Sequence, residues 1–229
     1  MKSIFVTGTD TGVGKTIVTG LLAKFIASTG NEVITQKWVQ TGNKGLSKDL
    51  RLHLKIMGKK PEAIKKYLNY ACPYVFKFPA SVHLAASLEK KKINPARIKK
   101  SFEILTKDFD FVIVEGIGGA LVPFSQRHLV IDIVKELNLA VLIVAENKLG
   151  AINHTLLTIE AVRQRGIKIA GVVFNNLSAR TDKLILNDNL RVVKKLSGIR
   201  VFGSLPYNRD KNFLYQKFIP IGKKILTLR

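Results

Sequence analysis

A single cysteine, Cys72, occurs in 229 residues. No intrachain disulfide can form, and such sparing use of cysteine fits a reducing cytoplasm. Acidic residues are also scarce: 16 Asp and Glu stand against 38 Lys and Arg, a formal net charge of +22. No apolar run approaches the roughly 20 residues of a membrane-crossing helix, and the opening Met1-Lys2-Ser3-Ile4-Phe5-Val6 lacks the layout of a secretory signal. No internal repeat and no linker-like stretch interrupts the chain. One domain spanning residues 1–229, in a cytoplasmic protein with no membrane partner, is the expectation. The cationic excess raises the question of a nucleic-acid partner. Its lysines, however, lie in pairs and triplets along expected helices (Lys65-Lys66, Lys90-Lys91-Lys92, Lys99-Lys100, Lys194-Lys195, Lys223-Lys224), with no nucleic-acid-binding signature beside them. They read as a solvated lysine-rich surface, and no nucleic-acid partner is expected.

What the chain does have is a phosphate loop. The apolar run Ile4–Val6 enters Thr7-Gly8-Thr9-Asp10-Thr11-Gly12-Val13-Gly14-Lys15-Thr16, and an amphipathic stretch follows from Ile17 to Ile26. Strand, glycine loop and helix is the context in which backbone N–H groups cradle phosphate, a lysine reaches the terminal phosphates and a Ser/Thr hydroxyl holds magnesium. Lys15 and Thr16 fit those two roles. In the common spacing, G-x-x-x-x-G-K-[ST], the first glycine would fall at Thr9; Gly8 is one place early. The loop is therefore either a coincidence or a lengthened variant.

A second strand is expected over Glu32–Val39. It delivers Lys37 and Thr41 to the end of the sheet where open α/β folds bind ligands. Ser47 can cap a helix running to Met57, with Asp49 in its first turn. Residues 58–101 hold four of the seven prolines and read as two helical pieces joined by a proline-rich loop; His83 there is expected to be packed or capping. The run Phe109–Val114 is a strand ending in Glu115-Gly116-Ile117-Gly118-Gly119. An acid at that position commonly orients magnesium in P-loop enzymes, and the glycines permit close backbone approach to phosphate. Helix Leu129–Leu137, strand Leu139–Ala145, a helix reaching Arg165, strand Ile167–Phe174 followed by Asn175-Asn176, helix Thr181–Ser197, strand Ile199–Pro206 and a terminal loop and helix complete the alternation. Asn153 and nearby amides can hold an anion at a helix start. Alternating strands and helices with right-handed crossovers predict an α/β fold: a mostly parallel central sheet with helices on both faces.

The motifs in this order resemble the dethiobiotin synthetases. The lengthened loop Gly8–Thr16, Lys37 with Val39-Gln40-Thr41-Gly42, Glu115–Gly119, Lys148-Leu149-Gly150-Ala151-Ile152-Asn153-His154, Asn175-Asn176 and Leu205-Pro206 all have counterparts there. Trp38 departs from the family's proline, Ile117 from a small residue, and the stretch from Thr41 to Asp49 is short. The resemblance implies a single P-loop ATP-binding synthetase domain that joins 7,8-diaminononanoate and CO2 into dethiobiotin using ATP and Mg2+. It implies Lys37, Lys15 and Thr11 as catalytic residues, and Thr16, Asp49 and Glu115 as metal ligands. Nucleotide would be held by Gly12, Val13, Gly14, Lys15, Thr16, Ile17, Asp49, Glu115, Gly116, Ile117, Gly118, Asn175, Asn176, Ser204, Leu205 and Pro206. Substrate would meet Thr11, Lys37, Thr41, Gly150, Ala151 and Asn153, the last three from the second subunit of a homodimer. The partition and septum-site ATPases, a rival P-loop group, carry an early loop lysine where Asp10 stands. Cobyrinate amide synthases would need a glutaminase domain, and a basic nucleic-acid-binding module rests on charge alone.

Overall fold

A computed structural model describes residues 2–125 and 128–227; Met1, Leu228 and Arg229, to which the expected first strand and last helix extend, lie outside them. Six strands form the main sheet: β1 (Ser3–Gly8), β2 (Val33–Lys37), β5 (Phe111–Gly119), β6 (Ala140–Glu146), β7 (Ile169–Asn175) and β8 (Val201–Leu205). Their order is β2-β5-β1-β6-β7-β8, and every pairing is parallel. The central strands β1, β5 and β6 are almost wholly buried, in accord with near-continuous Val, Ile, Leu and Phe rather than alternation. The chain moves from β1 to one side of the sheet and later returns to the other, so a crevice opens at the carboxyl ends beside β1.

Helices cover both faces. On one, α1 (Lys15–Ala27), α2 (Lys48–Met57) and α9 (Lys211–Leu226) pack Leu21, Leu22, Phe25, Ile56 and Phe218 over Ile4, Val6, Val33 and Ile113. On the other, α5 (Pro95–Asp108), α6 (Val130–Glu136), α7 (Ala151–Arg163) and α8 (Lys183–Ser197) enclose Phe5, Ile34, Val112, Val114, Val141, Ile143 and Phe174. The helix ends follow their sequence. Ser47 Oγ accepts from the Leu50 N–H at 3.3 Å, and Asp182 Oδ1 accepts from the Leu184 N–H at 2.7 Å; both are side-chain caps.

Two departures from expectation lie near the crevice. The second strand does not run on to Val39 in the main sheet. It stops at Lys37, and β3 (Val39–Gln40) pairs in parallel with β4 (Tyr74–Val75) as a separate ribbon. Trp38 makes the turn. Its ring is 1% exposed, lies 5.1 Å from the Phe5 ring and 6.2 Å from that of Phe124, and its indole N–H donates to Gln36 Oε1 at 3.0 Å. A buried, hydrogen-bonded indole fixes the chain direction in place of a proline. Residues 58–101 are correspondingly richer than two helical pieces: a 3-10 segment (Pro61–Tyr67), α3 (Leu68–Ala71), β4, α4 (Val82–Leu88) and the first part of α5. His83 is exposed on α4 rather than packed.

Candidate active site

The phosphate loop leaves β1 at Gly8 and enters α1 through Gly14, whose φ of 96° is accessible to glycine at little cost. Position 14 is constrained a second way: a Cβ there would collide with the Asn175 side-chain amide. That amide donates to Val13 O at 3.0 Å, so the end of β7 clamps the loop. The first amides of α1 have no carbonyl partner within the helix and face the loop interior. Lys15 curls back over it, its Nζ donating to Asp10 O at 2.8 Å. Burial and the neighbouring Lys37 charge push the Lys15 pKa down from 10.5 to about 8.

Beside the loop lies a buried charge cluster. Lys37 and Glu115 are register partners on β2 and β5, so both side chains leave the same face of the sheet. The Lys37 ammonium has three oxygen neighbours: it donates to Glu115 Oε1 at 2.9 Å and Gly116 O at 2.7 Å, and pairs with Asp49 Oδ2 at 2.8 Å. Burial would strip the proton from Lys37, but Glu115 and Asp49 outweigh it and hold the pKa above the usual lysine value. Glu115 is the reciprocal case. Burial pushes its pKa up, yet Lys37 and His53 bring it down from 4.5 to about 2. Its Oε1 also accepts from Thr16 Oγ1 at 3.0 Å. Asp49 reaches the cluster because Gln40 Oε1, at the end of β3, accepts from Ser47 Oγ at 2.7 Å and from the Asp49 N–H at 3.3 Å. The ribbon that begins at Trp38 thereby fixes the start of α2.

These residues fit a magnesium ion. The donors are all oxygens, as a hard cation requires. Thr16 Oγ1 and Glu115 Oε1 lie 3.0 Å apart, close to the roughly 2.9 Å between adjacent corners of an octahedron with Mg–O bonds near 2.05 Å. Asp49 and Glu115 already share one cation, the Lys37 ammonium. Among the described residues no group of three or more His, Cys, Asp or Glu is arranged to hold a metal ion by itself. Two carboxylates and a hydroxyl suit a metal that keeps waters and takes phosphate oxygens.

Comparison with known proteins identifies what this constellation belongs to. An AAA domain family model matches residues 2–212. The chain is 45% identical to the ATP-dependent dethiobiotin synthetase BioD 2 of Haemophilus influenzae over 76% of its length and 91% of that protein's. It is 42% identical to the BioD of Chlorobaculum tepidum over 80% of its length and 76% of that protein's. The chain belongs to the ATP-dependent dethiobiotin synthetase family. Its fold is shared more widely. The MinD cell division protein of Aquifex aeolicus superposes with a TM-score of 0.61 at 14% identity, covering 100% of this chain and 98% of that one. A ParA family ATPase from Chlorobium tepidum gives 0.55 at 16% identity, covering 97% and 92%. At those identities the likeness is one of architecture.

Set against the dethiobiotin synthetase motifs, the structure gathers Thr16, Lys37, Asp49, Glu115 and Gly116 into one contact network, with Lys15 within electrostatic reach of it. Thr11 is exposed on the loop, where a Cβ on Gly118 would stand 3.6 Å from its hydroxyl. Gly118 thus lies against the loop, whereas Ile117 packs against the core on the other face of the sheet and Val13 and Ile17 join the core under α1. Thr41 is half-buried just past β3. Asn176 Oδ1 accepts from Ser204 Oγ at 2.8 Å, and both line a cleft with Asn147 and Leu186 near Leu205 and Pro206. Gly150, Ala151 and Asn153 lie outside the Lys37 cluster at the start of α7, where Asn153 is exposed. His53 is a member of the cluster that motif reasoning passed over. It lies one helical turn after Asp49 and so on the same face of α2, a spacing that would have flagged it.

Proposed function

We propose that the chain is an ATP- and magnesium-dependent cyclo-ligase that converts 7,8-diaminononanoate and CO2 to dethiobiotin, the penultimate step of biotin biosynthesis, with release of ADP and phosphate. The likeness to named dethiobiotin synthetases over most of the chain carries this reading. One amine of the diamine adds to CO2 and loses a proton, giving a carbamate. A carbamate oxygen attacks the γ-phosphorus of ATP and ADP leaves. The second amine then attacks the carbamoyl carbon, closes the ureido ring and expels phosphate.

Two anions must meet in this sequence, and the repulsion between them is the electrostatic problem the site has to solve. Lys15 and Lys37 supply buried positive charge on either side of the reacting oxygen. Thr11 and Thr41 offer hydroxyls to the carbamate and amines. The amides of Gly12 to Ile17 and the backbone of Gly116 to Gly118 embrace the phosphates, and Asn175, Asn176, Ser204, Leu205 and Pro206 edge the cleft for the base. Thr16, Asp49 and Glu115 would hold magnesium, which when bound offsets phosphate charge. A homodimer completes the site, with Gly150, Ala151 and Asn153 of one subunit presented to the substrate carboxylate of the other. Supporting it, Leu121, Leu149 and Leu157 are 49%, 80% and 61% exposed. Of these, Leu121 and Leu157 line a groove that also includes Thr9 and Gly119, an apolar surface of the kind interfaces cover.

The purified protein, supplied with ATP, Mg2+, bicarbonate and the diamine, is expected to release ADP only when the diamine is present and to form dethiobiotin alongside it. Diamine-independent hydrolysis without dethiobiotin would remove the assignment.

A further inference from the structure

Within the buried cluster, His53 has a task that none of the phosphate-site motifs covers. Its ring is fully buried and is held at both nitrogens. Nδ1 lies 3.0 Å from Thr35 Oγ1, and Nε2 lies 2.7 Å from Glu115 Oε2. The Glu115 carboxylate, gripped by the Lys37 ammonium at its other oxygen, can only accept, so Nε2 carries the hydrogen of the second contact. Glu115 is then held at both oxygens: Oε1 by Thr16 and Lys37, Oε2 by His53. Without the Nε2 contact, only the Oε1 partners remain to hold the carboxylate, whose last torsion is broad and nearly two-fold for a glutamate, so its rotation is less firmly fixed.

The placement of His53 is built into the packing. Thr35 precedes Lys37 by two residues on β2, so both face α2. The helix comes close because position 20 of α1 has no side chain: a Cβ at Gly20 would stand 2.7 Å from Ile56 Cδ1 and 3.4 Å from His53 Cα. Thr35, His53 and Glu115 are each no more than 2% exposed, so water cannot readily replace a lost partner.

We propose that His53 is a positioning residue: anchored on Thr35, it fixes the rotation of the Glu115 carboxylate so that Oε1 stays turned toward Thr16, Lys37 and the phosphate site. This rests on the reading of Glu115 as a magnesium-holding carboxylate. Partners one shell removed from a metal typically change affinity or activity by roughly 10–100-fold when lost.

Two isosteric substitutions separate positioning from packing. In His53→Gln, the amide nitrogen occupies the place of Nε2 and can still donate to Glu115. In His53→Asn, the amide reaches only the place of Nδ1, keeping Thr35 and losing Glu115. Turnover is to be followed against Mg2+ concentration, and ADP binding measured by calorimetry with and without Mg2+. The expected result is that His53→Asn lowers kcat or raises the Mg2+ requirement by roughly 10–100-fold and loses the magnesium-dependent part of ADP affinity. Metal-free ADP binding stays at the wild-type value, and His53→Gln recovers most of the loss. Wild-type behaviour of His53→Asn, or equal losses in both variants, would overturn the proposal. If His53→Asn does not fold, a folded His53→Gln decides alone: retention of magnesium-dependent binding supports it and a tenfold loss overturns it. A wild-type protein that forms no dethiobiotin would instead remove the proposed function, while the ADP-binding comparison would still decide the role of His53.

Discussion

Replacing Glu115 by Gln keeps shape and removes charge at the point where β1, β2, β5 and α2 converge. The cost can be worked from two sides. The difference between 4.5 and about 2 in the pKa of Glu115 corresponds to about 3 kcal/mol favouring the ionised form in the folded state. The geometry adds a second penalty. Oε1 faces two donors, Thr16 and Lys37, and Oε2 faces the His53 Nε2, so a glutamine amide must either turn its NH2 toward Lys37 or force the His53 proton from Nε2 onto Nδ1, against Thr35. A buried mismatch of that kind costs about 1–3 kcal/mol. Lys37 keeps Asp49 at 2.8 Å, so it is not stranded; because the pKa shift already includes the hydrogen bonds from His53 and Lys37, the two penalties overlap, and the net cost should fall near the 3–5 kcal/mol of a broken buried pair. For a chain of this size that is a drop in Tm on the order of 10 °C. Asp49→Asn supplies the contrast. Asp49 is partly exposed and bears on Lys37 through one oxygen, so its loss should cost about 1 kcal/mol or less. The Glu115 contribution also has a pH signature. A carboxylate with a depressed folded pKa stabilises the protein fully above about 4.5, and the contribution is lost as pH falls toward about 2. The gap between wild type and Glu115→Gln should therefore be constant at neutral pH and begin to close below about pH 4.5. Thermal unfolding of the three proteins across pH tests this. A Glu115→Gln variant as stable as wild type, or one less perturbed than Asp49→Asn, would refute the reasoning.

Three further outcomes follow from the same geometry. Lys15 titrates at about 8 in the free site, and bound phosphate favours its charged form, so ADP affinity should fall as pH rises past 8, by up to about tenfold per unit; calorimetry showing constant affinity through that range would contradict it. Lys37→Ala should lower kcat by roughly 100-fold with a smaller change in ADP affinity, because its proposed role is toward the transferred group and its contacts are with Glu115, Asp49 and Gly116 O rather than the loop amides; unchanged turnover would refute that role. Burial pushes the Cys72 thiol up from 9.0 to about 12, leaving roughly a thousandfold less thiolate at neutral pH. Thiol labelling should accordingly be slow in the folded protein and fast in denaturant, and rapid native labelling would show that the ribbon around Tyr74 opens.

Much of the site was legible because its signals are local. A phosphate loop is nine consecutive residues, from Gly8 to Thr16, and an acid before glycines at the end of an apolar run is read without knowing what lies beside it. Those features sit at strand ends, and parallel α/β packing gathers strand ends on its own. What escaped depends on distant partners. The apolar stretch through Trp38 and Val39 looks continuous with β2, and only the indole contacts with Phe5 and Phe124 and the pairing with Tyr74 and Val75 show where it turns. His53 looks like an ordinary helix residue until α2 packs over Gly20 and brings it onto Glu115. His83, read as packed or capping, lies on the outer side of a short helix whose buried face is Val82, Ala85 and Ala86.

The chemical core of the account is that a carbamate oxygen becomes a phosphate oxygen, and isotope transfer follows that atom. With 18O-labelled CO2, diamine, ATP and Mg2+, sampled before the label exchanges with water, the inorganic phosphate released should carry 18O in step with dethiobiotin formation. Dethiobiotin formed alongside wholly unlabelled phosphate would contradict the anhydride route, and labelled CO2 that never enters dethiobiotin would contradict the assignment itself.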